Sequence, residues 1–349
     1  MRTILAAVLA PTLLLPMLLA SPSVAASAPK PGQKCAKAGV ERTIDWTVLR
    51  CAKTKKGLRW RIVAQGPAYS FTEQGTFISC AADPSAARID KEVRVYYADS
   101  SEGPCPKEPD LPDSAVAPLS GGPGVPDSGR RISMSDAGPH KRILSLPSGG
   151  YVMFFTTPPR STAPAGIGSA TSEDGLSFTT VPGLRVAAAD VPDTPALSPG
   201  DVVRTPDGKA WRMYFSTFNF GPRPPDTARE RIYSAISTDL VTWTLEPGVR
   251  VGVGSAIPGS AEHPAVVRHE DGSVTAFYGR PTPGDYGLHY SWSRDGLTFS
   301  TEKFLVESVL DSAFVLDADG EYAGFIGRRD NVAERSYIDR IRLTPVSSP

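Results

Sequence analysis

Acids and histidines recur at one point of a repeated phrase in this chain of 349 residues, just ahead of a short apolar strand. Asp136 and His140 precede Ile143, Asp193 and Asp201 flank Leu197, Glu262 and His263 precede Ala265, and Asp311 precedes Ala313. Glu73 is the counterpart expected from an incomplete first unit. Two carboxyls that face each other across a cleft can share acid and base work. One stays protonated and donates to a leaving oxygen, while the other is ionised and activates water or attacks carbon. Like charges nearby and partial burial raise the pKa of the donor. Imidazoles at the same positions, His140 and His263, can hydrogen-bond a polar substrate or serve the structure.

The elements that must hold these groups are β-strands. The clearest copy of the phrase runs from Asp201 to the Asp207-Gly208 turn, through Trp211–Ser216, then Ile232 to Asp239-Leu240 and Trp243. Neighbouring copies span 143–178 and 265–299, a shorter one starts near Ala313, and Glu92–Tyr97 reads as the aromatic strand of a degenerate first copy. Asp-Gly supplies the positive φ of hairpin turns, and the runs between turns alternate apolar and polar residues. Each copy is a four-stranded sheet that cannot bury its faces alone, so copies pack around an axis. The expected fold is an all-β, five-bladed β-propeller. In such a ring the starts of the inner strands share a face with the loops between second and third strands. Those loops, 157–167, 219–231, 280–287 and 327–336, carry Arg160, Arg223, Arg229, Arg280, Arg328 and Arg329. A guanidinium grips a carboxylate or phosphate with two prongs. Arg223, Arg280 and Arg328 are therefore candidate substrate ligands, or alternatively pair with the ring acids and hold loops.

Composition agrees with a globular chain rich in turns: 40% hydrophobic, 21% charged, with 32 Gly and 34 Pro. The net charge of zero favours neither nucleic acid nor an anionic membrane as partner. Residues 1–28 read as a signal peptide, with Arg2, an apolar stretch and small residues ahead of the cleavage point, so the mature protein is expected to be secreted, extracellular and without a membrane anchor. Four cysteines in an exported chain point to two disulfides, and the pairing Cys35 with Cys51 and Cys80 with Cys105 closes the shortest loops. Residues 29–65 form a small Cys-containing module with a basic surface, and 66–349 the propeller. The segment 104–129, rich in Pro, Gly and Ser, is expected to be irregular. No nucleophile elbow, phosphate loop, dinucleotide fingerprint or His-Glu-x-x-His pattern is present.

The order strand, Asp-Gly turn, aromatic strand, Ser-x-Asp-Gly-x-x-aromatic resembles the five-bladed glycoside hydrolase superfamily of arabinanases, xylosidases and invertase-like enzymes. The likeness implies a base carboxylate, a carboxylate that tunes the acid, and a Glu acid at successive inner-strand starts, the Glu often as Glu-Gly-Pro. Glu262-His263-Pro264 stands at the corresponding start, which makes Glu262 the candidate acid, with His in place of Gly. Relatives commonly show Asp-Pro before an inner strand, where this chain has Pro139-His140, Pro199-Gly200-Asp201 and Asp311-Ser312. Asp201 and Asp136 are the candidate base and tuning carboxylates. The implied protein is a monomeric, secreted hydrolase of a furanosyl- or pyranosyl-containing polysaccharide, with no cofactor unless calcium. A non-catalytic propeller that binds glycan or protein is the alternative. The Ser-x-Asp turns also resemble the sialidase Asp-box. A sialidase-like enzyme needs three clustered arginines, a Tyr nucleophile and usually six blades, and ranks third.

Overall fold

The structure, a computed structural model, describes residues 28–89, 91–99, 105, 114–118, 122–126, 140–157, 164–192, 194–218, 230–281, 286–317, 320–330 and 335–346. The proposed signal peptide lies outside the described residues but for Ala28.

Strands β1 (Glu41–Ile44), β2 (Thr47–Thr54) and β3 (Gly57–Gln65) form a separate three-stranded sheet. Strand β4 (Ala68–Ser79) follows, and then the blades begin. Blade one is β5 (Ala81–Ile89), β6 (Glu92–Asp99), β7 (Ser114–Ala117) and β8 (Val125–Pro126). Blade two is β9 (Lys141–Ser145), β10 (Tyr151–Thr157), β11 (Gly166–Ser172) and β12 (Thr179–Ala187). Blade three is β13 (Ala196–Arg204), β14 (Trp211–Phe218), β15 (Ile232–Ser237) and β16 (Thr244–Leu245). Blade four is β17 (Glu262–Arg268), β18 (Val274–Pro281), β19 (Tyr286–Ser293) and β20 (Lys303–Glu307). Blade five takes β21 (Asp311–Leu316), β22 (Tyr322–Asp330) and β23 (Arg335–Val346), and its fourth strand is β4. Pairing of β4 with β23, Phe71 opposite Leu343 and Ala68 opposite Val346, locks the two ends of the propeller together.

The inner strands β5, β9, β13, β17 and β21 touch in succession around the axis. Each blade interface has its own apolar core. Met153 and Phe155 meet Tyr96 between blades one and two, Phe154 meets Phe215 between two and three, and Tyr214 meets Tyr278 between three and four. Phe277 packs with Ile326 and Ile341 between four and five, and Phe325 with Tyr97 between five and one. Adjacent large residues in each second strand, two aromatics in blades one to four and Phe325-Ile326 in blade five, point to opposite faces, which is why a single strand can serve two interfaces.

The Ser-x-Asp turns behave as their chemistry dictates. Asp174 Oδ1 accepts the N–H groups of Leu176 and Ser177 at 2.8 Å, and Ser172 Oγ that of Gly175 at 2.9 Å. Asp239 and Asp295 repeat the pattern. The preceding blade then grips the turn, as Tyr214 donates to the Gly296 carbonyl at 2.8 Å. Both disulfides form as expected, Cys35–Cys51 and Cys80–Cys105.

Two expectations need correction. The segment 104–129 is not wholly irregular, since it supplies β7 and the short β8 of blade one. Glu73 does not reach the axis. It lies on β4, the outermost strand of blade five, where it pairs with Arg328 at 2.7 Å.

Candidate functional site

Three inner strands begin with the same irregularity. Their pairing to the second strand slips between Ala82 and Ser85 in blade one, Pro199 and Val202 in blade three, and Glu262 and Ala265 in blade four. Each slip holds one extra residue next to a proline: Asp83-Pro84, Pro199-Gly200-Asp201, and His263-Pro264. Such bulges bend a strand and re-aim a side chain. Asp83 and His263 occupy matching positions and both adopt positive φ, 53° and 52°. A non-glycine residue held there costs on the order of 1–3 kcal/mol. The surrounding packing sustains that strain at the axis in both blades.

The bulged residues converge on a small, tightly closed cavity lined by Asp83, His140, Arg142, Ser198, Pro199, His263 and Asp311. His140 Nδ1 lies 3.1 Å from Asp83 Oδ1, and the imidazoles of His140 and His263 meet at 4.6 Å between centroids, tilted by 51°. Asp311 Oδ2 accepts the Asp83 backbone N–H at 3.0 Å and lies 4.0 Å from His263 Nδ1. Burial pushes Asp83 upward, but the charge and hydrogen bond of His140, the charge of His263 and a hydrogen bond from Asp311 hold its carboxyl well below the usual range. Burial, and then the negative charge of Asp83, hold Asp311 well above that range. The two carboxyls of the pair are thus pushed in opposite directions, Asp83 toward the ionised form and Asp311 toward the protonated form.

Arg142 spans the axis below them. It donates to the carbonyls of Pro84 at 2.5 Å and Ser312 at 3.2 Å, and its Nε lies 3.6 Å from Asp201 Oδ1. Asp201 also accepts the Val266 N–H at 2.8 Å. Burial raises the Asp201 carboxyl, and Arg142 and the Val266 N–H offset part of that rise. This acid joins blades two, three and four.

Of the residues singled out from sequence, His140, His263 and Asp311 come together at the cavity, and Asp201 sits against its floor. Glu262 opens β17, 2% exposed, one residue from His263. Arg280 is engaged by Glu302 and by the Pro258 carbonyl at 2.5 Å, and Arg328 by Glu73 and, at 3.1 Å, by Asp339. Neither arginine lines the cavity. Asp136, Asp193 and Arg223 lie outside the described residues.

Asp83 and Arg142 escaped sequence reasoning, although the signal for Asp83 was present. Asp83-Pro84 is the Asp-Pro pair that the glycoside hydrolase likeness calls for, one hairpin ahead of Glu92–Tyr97. It hides in Ala81–Ile89, a strand of small residues that lacks the Val, Ile and aromatic signature of the other copies.

A cation at this centre would meet one carboxylate oxygen and two imidazoles, from Asp83, His140 and His263, whose ligand atoms lie within 4.8 Å of one another. Two nitrogens in three donors is not the oxygen set that calcium takes.

No family model matches the sequence, nor does any curated protein. Solved structures do match in fold. An endo-arabinase from Bacteroides thetaiotaomicron VPI-5482 superposes with a TM-score of 0.54 at 15% identity, over 78% of this chain and 98% of that one. A family 117 glycoside hydrolase of Zobellia galactanivorans gives 0.54 at 12% identity, over 79% and 90%. Fructan 1-exohydrolase IIa from Cichorium intybus gives 0.55 at 12% identity, over 78% of this chain and 56% of its own. At these identities the likeness is one of fold, and the chain thus shares the five-bladed propeller architecture of those glycoside hydrolases.

Proposed function

We propose that the protein is a secreted glycoside hydrolase acting on a furanosyl- or pyranosyl-containing polysaccharide, with Asp83 as base and Glu262 as acid. The observation that carries this reading is the asymmetry at the axis. His140 favours the ionised form of Asp83, while burial and the charge of Asp83 raise the carboxyl of Asp311 beside it. Glu262, buried and one residue from His263, is the proton donor by the likeness of Glu262-His263-Pro264 to the acid of those hydrolases.

Asp83 removes a proton from water as its oxygen attacks the anomeric carbon. Glu262 gives a proton to the departing glycosidic oxygen, so one water is added across the broken bond. His140 orients Asp83 through the 3.1 Å contact. Asp311 tunes the pair by supplying a hydrogen bond without competing charge. In this scheme Asp201 is a strut for Arg142 rather than the base.

One observation favours the alternative of a glycan-binding propeller without catalysis. Asp201, Arg280 and Arg328 are all committed to internal pairs. The test is turnover of aryl glycosides and polysaccharides by the wild type beside Asp83→Asn and Glu262→Gln. Sugar release from polysaccharide that drops at least about a hundredfold in both variants supports the hydrolase. Absence of release on every substrate, with glycan binding retained, leaves the binding propeller.

A further inference from the structure

The net charge of zero conceals a strong segregation. Residues 28–65 hold ten Lys and Arg against two acids, Glu41 and Asp45, whereas the rest of the chain holds 27 against 35. Both acids are already in use. Glu41 pairs with Arg50 at 2.5 Å, and Asp45 accepts the N–H and hydroxyl of Thr301 in blade four at 2.6 and 2.8 Å. Nine of the ten cations are exposed, Arg59 alone being half-buried.

Geometry gathers them. Antiparallel register sets Arg50 opposite Arg61 and Ala52 opposite Arg59, so Arg50, Arg59 and Arg61 lie on one face of the sheet. Lys34 bridges to Arg59, and the Cys35–Cys51 disulfide pins that segment to β2. Lys55 and Lys56 form the tip of the β2–β3 hairpin. The module is also held rigidly. Trp46, 7% exposed, meets Tyr290 edge-on at 5.6 Å and donates to the Thr301 carbonyl at 3.0 Å. Thr301 lies past the Ser293–Asp295 turn, at the end of blade four away from Glu262.

Such a face repels itself, and it gains free energy only when an opposing polymer displaces its counterions. Two disulfides point to an oxidising setting outside the compartment that holds the cell's nucleic acids, and the propeller shares its fold with glycoside hydrolases, which favours a polysaccharide as the polyanion. We infer that this module is a docking surface for an anionic polysaccharide, bearing carboxylate or sulfate, gripped by Lys34, Arg50, Lys55, Lys56, Arg59 and Arg61. It lies away from the ring cavity, so the inference stands apart from the proposed hydrolysis.

The full mature chain is tested by affinity electrophoresis against polygalacturonate, heparin, neutral arabinan, single-stranded DNA and phosphatidylglycerol vesicles. Retardation is expected with one or both anionic polysaccharides, and the stronger of the two tells carboxylate from sulfate. Neutral arabinan should not retard it through this face. At a slope of about 0.7 per ionic contact, four contacts predict a loss of roughly fifty-fold in affinity between about 50 and 200 mM salt. The fourfold variant Lys34→Ser, Lys55→Ser, Lys56→Ser, Arg61→Ser removes exposed cations only. It should keep the wild-type melting temperature and bind at least about tenfold more weakly at low salt. The inference is overturned by no retardation on either polysaccharide, by binding indifferent to salt or to the variant, or by binding to DNA or vesicles as tight as to the polysaccharides.

Discussion

Asparagine in place of Asp311 should make the protein more stable at neutral pH, by an amount that grows with pH. Asp311 is 3% exposed, and its burial and the charge of Asp83 hold its carboxyl well above the usual range. In the unfolded chain the same carboxyl ionises near pH 4. Folding therefore takes up a proton above that point, and stability falls as pH rises, by up to about 1.4 kcal/mol per pH unit, until the raised folded pKa is passed. The substituted amide would accept the Asp83 N–H and donate to the Asp83 carboxylate, as the protonated acid does, without titrating. Asp83 does not blur the comparison. Its folded pKa is depressed, so its contribution is present above about pH 4 and is lost only as pH falls through its folded value. Urea unfolding of wild type and Asp311→Asn at several values from about pH 4.5 to 7.5 should give a gap that widens with pH, by up to about 1.4 kcal/mol per unit until the folded pKa of Asp311 is passed. A variant less stable than wild type by a pH-independent amount would refute the reasoning, because it would mean that Asp311 is an ionised partner of His263.

Further outcomes concern the scaffold. Tyr214→Phe leaves the buried Gly296 carbonyl without its 2.8 Å donor and should cost about 1–3 kcal/mol in chemical denaturation. Loss of the 25-residue Cys80–Cys105 link by double Ser substitution should cost about 2–4 kcal/mol, read as a lower melting temperature. Trp46→Ala removes the ring that seats the N-terminal sheet on blade four and should cost about 3–5 kcal/mol. If the sheet is released, limited proteolysis should cut near residue 66 in the variant and not in wild type.

The blades were legible because their signals are local. Asp-Gly and Ser-x-Asp turns fix hairpins through side-chain to backbone bonds, and alternation fixes which residues face the interfaces. Blade one was harder, because β5 is alanine-rich and β8 has only two residues. Closure of blade five by β4 depends on residues about 270 positions apart, such as Phe71 and Leu343, and no local pattern announces it. At the site, positions ahead of inner strands were readable as a class, which brought His140, His263, Glu262 and Asp201 into view. Their roles depend on partners in other blades. Arg142 looks like a surface cation in sequence and becomes the central strut only because five inner strands bring Pro84, Asp201 and Ser312 around it. The net charge of zero likewise hides the basic balance of the module, since opposite charges in the module and the propeller cancel in the sum.

The division of labour between Glu262 and Asp83 is tested most directly by how each variant responds to the leaving group. An activated aryl glycoside departs without protonation, whereas an alkyl glycoside or polysaccharide needs the acid. Glu262→Gln should lose at least about a hundredfold in kcat/KM on the natural type of bond but stay within about tenfold of wild type on the activated substrate, while Asp83→Asn loses heavily on both. Equal losses on both substrates in Glu262→Gln, or undiminished turnover in Asp83→Asn, would contradict the account.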